Sequence, residues 1–444
     1  MDTAIRLASV RRRAAEAAIW GVPYVNYRRM LDAAEEAGVS GPNQILYWSG
    51  LLDWRNQTLT PNPDVIYLMP FIDTANGPVV LEIPAAGAGA INGSVMNCWQ
   101  AAIEEVGPAG VDAGAGGKYL IMPPGHDEPL PAGYIPMQSE TFEVYALLRS
   151  LLNDGGPEQI DAAVEYGRRV RLYPLGGDPE DTIMVDAAGQ LVDARLPWDV
   201  SFFAYLADLV QREPWLNRDR VMIDQLATLG IRKGEPFDPE PAVVDALEAG
   251  LRDAREWLDA SYEDVIRPFT DAGRWGLPAD PAIVQATGSG FTDDDLYPVD
   301  ARGLSYTIAF FSSRHLGHGQ YYMMTTRDAH GDPLDGGAAY ELTVPPDAPV
   351  TGYWSVTVYN RSTHTFLDNA PRLGRSSQSP ELERNDDGSV TITFGPVQNP
   401  DLPGNWIPTT PGVGFEVMVR FYGPTEALFN KSWKLPDLTR KQLA

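Results

Sequence analysis

The chain has 444 residues, 44% hydrophobic and 21% charged, with 60 acidic against 34 basic side chains and a formal net charge of -26. That length suits two or three domains with sizeable cores. The acidity argues against a nucleic-acid partner, which needs clustered Lys and Arg, and against docking on anionic membranes.

A single cysteine, Cys98, allows no intrachain disulfide, and Asn97-Cys98-Trp99 reads as a strand end with a buried structural thiol. No run approaches the roughly 18 apolar residues of a membrane span. The opening MDTAIRLASVRRRAAEAAIW reads as an amphipathic helix, because no apolar stretch precedes a cleavage site as in a signal peptide. These features together predict a soluble, cytoplasmic protein.

In chain order, residues from Thr3 to Gly38 read as helices, with Gly38 as the stop. Strand text follows from Ile45, through Val65 to Phe71 and Val79 to Ile83, punctuated by Pro and Gly as in a β-sandwich. Gly114 to Gly117 make a turn before the strand Tyr119 to Met122, and Thr141 to Leu152 closes this half. The middle changes period: Gln159 to Arg168, Asp199 to Val210 with Asp199 as N-cap, Arg218 to Leu229 ending at Gly230, and Pro241 to Tyr262 all read as helices. The last carries Val244, Leu247, Leu251, Ala254 and Leu258 as one apolar stripe. A loop from Thr287 to Pro298 leads back to strands: Leu304 to Phe311, Tyr321 to Thr326, Ala339 to Val344, Trp354 to Tyr359, Val390 to Phe394 and Phe415 to Phe421. Asp386-Asp387-Gly388 reads as a hairpin turn.

The two ends repeat one series of motifs. Tyr67-Leu68-Met69, Asp73 and Leu81-Glu82-Ile83-Pro84 are echoed by Tyr322-Met323-Met324, Asp328 and Leu342-Thr343-Val344-Pro345. Ser94-Val95-Met96-Asn97 is matched by Ser355 to Asn360, and Phe142-Glu143-Val144 … Arg149 by Phe415-Glu416-Val417 … Arg420. The expectation is a mainly β chain with α: two jelly-roll-like β-sandwiches related by duplication and joined by a helical connector. The domains expected are residues 1–40 (N-terminal helices), 41–155 (first sandwich), 156–285 (connector) and 286–444 (second sandwich).

Candidate chemistry concentrates in two loops. Trp54-Arg55-Asn56 … Asn62-Pro63-Asp64 … Tyr67 puts polar groups on proline-stiffened backbone before a strand. There Asp64 is a candidate base, Tyr67 a hydroxyl donor and Arg55 an anion clamp, with Trp54 and Asn62 as binding residues. The bland alternative is Asx turns at Asn62 and Asp64 with Arg55 paired to Asp53 or Asp64. The counterpart, Trp354 … Tyr359-Asn360 … His364, ends a strand in a loop with the natural proton carrier His364. Asn405, Trp406, Arg420 and Tyr422 are candidates for lining the same cavity. His315 and His318, with His330 and Asp328, form a weak metal pattern, and neither metal nor cofactor is expected. Gly114 to Lys118 lacks the spacing of a phosphate loop.

Trp20-Gly21-Val22-Pro23, Thr60 to Tyr67 and Gly116 to Gly125 resemble domain of unknown function 1254. Tyr353 to Asn360, Gly404-Asn405-Trp406-Ile407 and Arg420 to Pro424 resemble its usual partner, domain of unknown function 1214. The resemblance spans nearly the whole chain and implies two jelly-roll-like sandwiches joined by helices, with no reaction attached. His364 departs from it: the family pattern tends to carry an arginine in the loop after Tyr359-Asn360. A titratable group there replaces a fixed cation.

The function expected is an enzyme, a hydrolase or lyase, acting on a small aromatic or amphipathic molecule in a pocket of the sandwiches. Asp64 or His364 moves the proton. Alternatives are a non-catalytic binding or assembly module and a metal-dependent cupin-like enzyme. A homo-oligomer is expected from exposed sandwich edges.

Overall fold

The computed structural model describes residues 3–442 apart from 152–155, 272, 280, 292, 294, 296 and 309–318. It is a mixed α/β, β-rich chain whose strands form several open sheets. The first large sheet has the spatial order Ile183–Asp186, Gln44–Tyr47, Ile66–Asp73, Glu143–Ser150, Ile91–Asn97, Ala102–Val106. The second runs Ile266–Pro268, Gly276–Pro278, Gln320–Thr325, Phe415–Tyr422, Trp354–Asn360, Gly374–Ser376. Each is backed by a four-stranded sheet. The first comprises Arg171–Pro174, Val79–Ile83, Gly117–Met122 and Tyr134–Gln138. The second comprises Thr439–Lys441, Ala339–Val344, Val390–Gly395 and Trp406–Pro408. Strand order matches over the last four strands given for each large sheet and in the small sheets, down to a parallel pair at one edge of each small sheet, while the outer pair of the large sheets is parallel in the first and antiparallel in the second.

The described helices are α1 (Thr3–Glu36), α2 (Pro157–Gly167), α3 (Ser201–Arg212), α4 (Arg220–Thr228), α5 (Pro241–Val265), α6 (Pro281–Gly288), α7 (Val299–Ile308) and the single turn α8 (Glu426–Phe429). The period-2 alternation of the strands explains where they sit. Ile66, Leu68 and Ile72 join the core of the first sandwich, while Tyr67, Met69 and Phe71 on the opposite face join the helical core. Val417, Val419 and Phe421 likewise fill the second sandwich, and Met418 faces the helices. One central core therefore takes side chains from α1, α3, α5 and α7 together with the outer faces of both large sheets.

Helix α1 is the axis of that layer. It is continuous through Pro23, which can donate no bond to the carbonyl of Ile19. At that carbonyl α7 comes closest: a Cβ on Gly303 would sit 2.4 Å from Ile19 O. Gly250 of α5 crosses α1 as closely, 2.2 Å from Arg11 O. Only residues without a side chain allow such approach, so two of the helix crossings are fixed by glycine.

Several expectations are corrected. Leu304 to Ile308 is helical, not strand, because that text is packed against α1; residues 309 to 311 lie outside the described residues. The connector contributes strands to both sandwiches: Arg171–Pro174 and Ile183–Asp186 to the first, Ile266–Pro268 and Gly276–Pro278 to the second. Boundaries at 155 and 285 therefore cut through sheets. Asp386 to Gly388 is a turn closed by Asn385 N–H on Ser389 O, at 2.9 Å, but it joins no paired strands. The N-cap position of α3 is Val200, one residue later than expected, while Asp199 Oδ1 accepts from Ser201 N at 2.8 Å just ahead of it. Cys98 is fully buried, and burial pushes its thiol well above the usual range.

Candidate functional site

The helix-facing side of the second large sheet carries polar groups where a core strand should be apolar. On Phe415–Tyr422 these are Glu416, Arg420 and Tyr422, at even spacing and therefore on one face. Glu416 is 0% exposed. Its Oε1 lies 2.9 Å from His364 Nδ1, and its Oε2 accepts from Tyr262 OH at 2.8 Å. Both carboxylate oxygens are thus engaged, and the imidazole packs edge-on against Tyr262, with 4.7 Å between ring centroids. With Nδ1 turned to Glu416, Nε2 is the histidine atom directed elsewhere.

The histidine backbone is held as firmly. His364 has φ +57°, a left-handed conformation unusual for a residue with a Cβ. Its N–H donates to Asn360 O at 2.8 Å, and its carbonyl accepts from Thr60 N at 2.7 Å. The first-half loop thereby clamps the second-half histidine.

His364 lines a partly open cleft with about 60 Å³ of space, several water-sized volumes. Leu59, Leu196, Trp198 and Leu258 give it apolar walls, and Arg195, Arg255 and Asp259 give it charge. Arg195 is tied to Asp193 and Asp368. Arg255 lies over the Trp198 ring at 5.4 Å and has no carboxylate at ion-pair distance among the described residues.

A second cluster lies on the same face. Tyr322, Arg420 and Ser355 are directly paired across three strands. Arg420 Nη2 reaches Tyr359 OH at 2.6 Å and the carbonyls of Thr60 and Pro61 at 3.1 and 3.5 Å. From the first half, Asn62 N–H donates to Tyr67 OH at 3.1 Å and Asn62 Nδ2 to Tyr422 OH at 2.6 Å. Tyr67 pairs across its own sheet with Arg149, whose guanidinium lies over the Tyr67 ring at 5.6 Å. Burial raises Asp64 above the usual carboxylate range, against the lowering effects of Arg420 and the Ser355 hydroxyl.

The predicted residues are therefore divided. Asn62, Asp64, Tyr67, Tyr359, Arg420 and Tyr422 meet in the second cluster, and His364 stands in the cleft. Arg55 joins neither: it pairs with Asp53 at 2.7 Å on the surface, over Trp54. Asp64 N donates to Asn62 Oδ1 at 3.0 Å, so the Asx turn is also present. Trp354 fills the second sandwich core. Asn360 caps a turn through Ser362 N, Asn405 holds the backbone of Glu383 and Thr391, and Trp406 bonds Gly395 O. These four are scaffold positions. His330 is exposed, and its N–H donates to Asp328 Oδ1 within a turn. His315 and His318 lie outside the described residues, among which no His/Cys/Asp/Glu group is arranged to hold a metal.

Sequence reasoning passed over Glu416, Tyr262, Arg255 and Trp198 at the cleft, and Arg149, Tyr322, Tyr353 and Ser355 in the cluster. A usable signal for Glu416 was a glutamate four residues from an arginine on one face of an otherwise apolar strand. Tyr262, Arg255 and Trp198 carried none, because only tertiary packing brings them to His364.

Family models match two segments, Protein of unknown function (DUF1254) over residues 42–174 and Protein of unknown function (DUF1214) over residues 319–426. No curated protein sequence matches the chain. Among solved structures, the VPA0106 protein from Vibrio parahaemolyticus is similar at 18% identity with a TM-score of 0.56, covering 98% of this chain and 100% of that one. An uncharacterized protein from Burkholderia cenocepacia aligns at 12% identity with a TM-score of 0.39, covering 98% and 94%. The first likeness concerns the fold alone. No described helix is long and apolar enough to cross a membrane.

Proposed function

We propose that this chain, which matches DUF1254 over residues 42–174 and DUF1214 over residues 319–426, is an enzyme, a hydrolase or lyase, acting on a small aromatic or amphipathic molecule in the His364 cleft. The reading rests on one arrangement: a buried histidine oriented by a carboxylate whose other oxygen is itself held. Glu416 fixes the imidazole and stabilises it when it gains a proton, the role an orienting carboxylate plays toward any histidine base. Nε2 takes a proton from a water nucleophile, or from a carbon acid in an elimination, and returns it to the leaving group. Trp198, Leu196 and Leu258 hold the apolar body of the substrate, and Arg255 takes the place first expected for Arg55 as the anionic anchor. Asp64, in the neighbouring cluster, is the alternative proton carrier.

We also read the two sandwiches as jelly-roll-like copies from a duplication, supported by their matching strand order, and the protein as a homo-oligomer in the cytoplasm. The function is tested by identifying a substrate in a thermal-shift screen of small organic acids and esters, then measuring turnover. His364→Ala and Glu416→Gln are expected to lower kcat by about 10²–10⁴-fold while circular dichroism stays unchanged. Full turnover in His364→Ala and in Asp64→Asn would overturn the assignment. Binding without turnover would instead favour a non-catalytic binding protein.

A further inference from the structure

The Tyr–Arg cluster is built more elaborately than a staple between the two halves requires. Arg420 is 2% exposed, and every acceptor it meets is neutral: Thr357 Oγ1 at 3.1 Å on Nη1, and Tyr359 OH with two carbonyls on Nη2. A guanidinium presents five N–H donors in a planar fork. Its bonds among the described residues run through Nη1 and Nη2 alone, and none of them neutralises its charge.

Beside it Ser355, Arg420's direct cross-strand partner, is 1% exposed; its Oγ makes no hydrogen bond within 3.5 Å among the described residues, although it faces the Asp64 carboxylate closely enough to favour its charged form. Among the described residues Asp64 Oδ2 is buried without a hydrogen bond as well. An unmet buried hydroxyl or carboxyl oxygen costs on the order of 1–3 kcal/mol, so such groups are normally matched by something that binds. Access exists: Pro63, Asp64, Tyr322 and Tyr353 are each half-buried, so the cluster reaches solvent along that side. The walls are aromatic, with Tyr353 stacked on Tyr422 at 4.0 Å and Tyr322 under Arg420 at 5.4 Å.

We propose that this face is a binding site, separate from the His364 cleft, for a small monocarboxylate whose oxygens accept from Arg420 and Ser355 and whose body lies between Tyr322 and Tyr353. A charge-assisted bond to a planar guanidinium suits a carboxylate. Asp64 makes a dianion such as phosphate the poorer fit. Its buried carboxyl holds its proton more readily than usual and can donate to one anionic oxygen, but it repels a second negative charge when ionised.

The test is isothermal titration of the full chain with sodium benzoate, against benzamide and inorganic phosphate as controls. Benzoate is expected to bind at least about tenfold more tightly than benzamide or phosphate. Ser355→Ala removes one hydroxyl and should weaken benzoate about tenfold with an unchanged unfolding midpoint. His364→Gln should leave benzoate affinity as it is, which separates this site from the catalytic cleft. The proposal is overturned by absence of benzoate binding, by equal binding of benzamide, by unchanged affinity in Ser355→Ala, or by loss of binding in His364→Gln.

Discussion

Both large sheets bury a glutamate on the face turned to the helices, at the start of a strand reading Phe-Glu-Val, and differ in what meets it. Glu143 meets two fixed cations, Arg28 at 3.0 Å and Arg212 at 2.6 Å. Glu416 meets a histidine and a tyrosine. An arginine never releases its proton in a protein, so the first arrangement can only hold α1 and α3 against the sheet. A histidine exchanges its proton, so the second can do chemistry. One strand opening has thus been fitted to structure in one half and is proposed to serve catalysis in the other.

The largest effect expected from breaking this contrast is on stability. Glu143→Gln takes from Arg28 its shortest ion pair and leaves it the longer ones to Asp32 and Asp208, at 3.4 and 3.8 Å, so unfolding in urea should show a loss of about 3 kcal/mol. Stability unchanged by that substitution would mean that the two glutamates are equivalent after all.

A smaller effect is read by pH. Glu213, which accepts from the backbone N–H groups of Phe142 and Glu143 at 2.8 and 2.9 Å, is pushed up to about 7 by burial. The folded chain therefore keeps a proton that the unfolded chain releases near the ordinary carboxylate value. Stability should be greatest below that value and fall as pH rises through 7, by on the order of 2–3 kcal/mol. Glu213→Gln should flatten that slope in urea titrations across pH 4 to 8; an unaltered slope would place its origin elsewhere.

The smallest effect is expected at Arg55. Its pair with Asp53 is solvent-exposed, so Arg55→Ala should shift stability by less than about 1 kcal/mol and leave turnover unchanged. A large loss of turnover would restore it to the site.

The repeated motifs were legible, but their meaning shifted. When the halves are aligned on the Tyr67–Arg149 and Tyr322–Arg420 pairs, Ser355 falls opposite Asn92 rather than Ser94, and Glu416 level with Tyr145 rather than Glu143. An offset of two residues keeps every side chain on its face, so the sequence similarity recorded facing and missed register. Shared positions need not be scaffold alone: Tyr322 and Arg420, the counterparts of Tyr67 and Arg149, form part of the proposed carboxylate site. Leu304 to Ile308 was misread because Tyr, Thr and Ile favour strands locally, while packing against α1 decides the outcome. The edge strands drawn from the connector have three or four residues each, too few for a period to show.

By itself the sequence determined that there are two β-rich halves with helices between them, and that the loop before Tyr67 and the loop holding His364 are unusual. Those properties are local, set by side-chain period, proline and glycine. Only the tertiary structure decided that Thr60 would lie against His364, that Tyr262 of α5 would complete the Glu416 pair, and that Arg55 would face outward. Such contacts join residues from distant parts of the chain, and no local spacing encodes them.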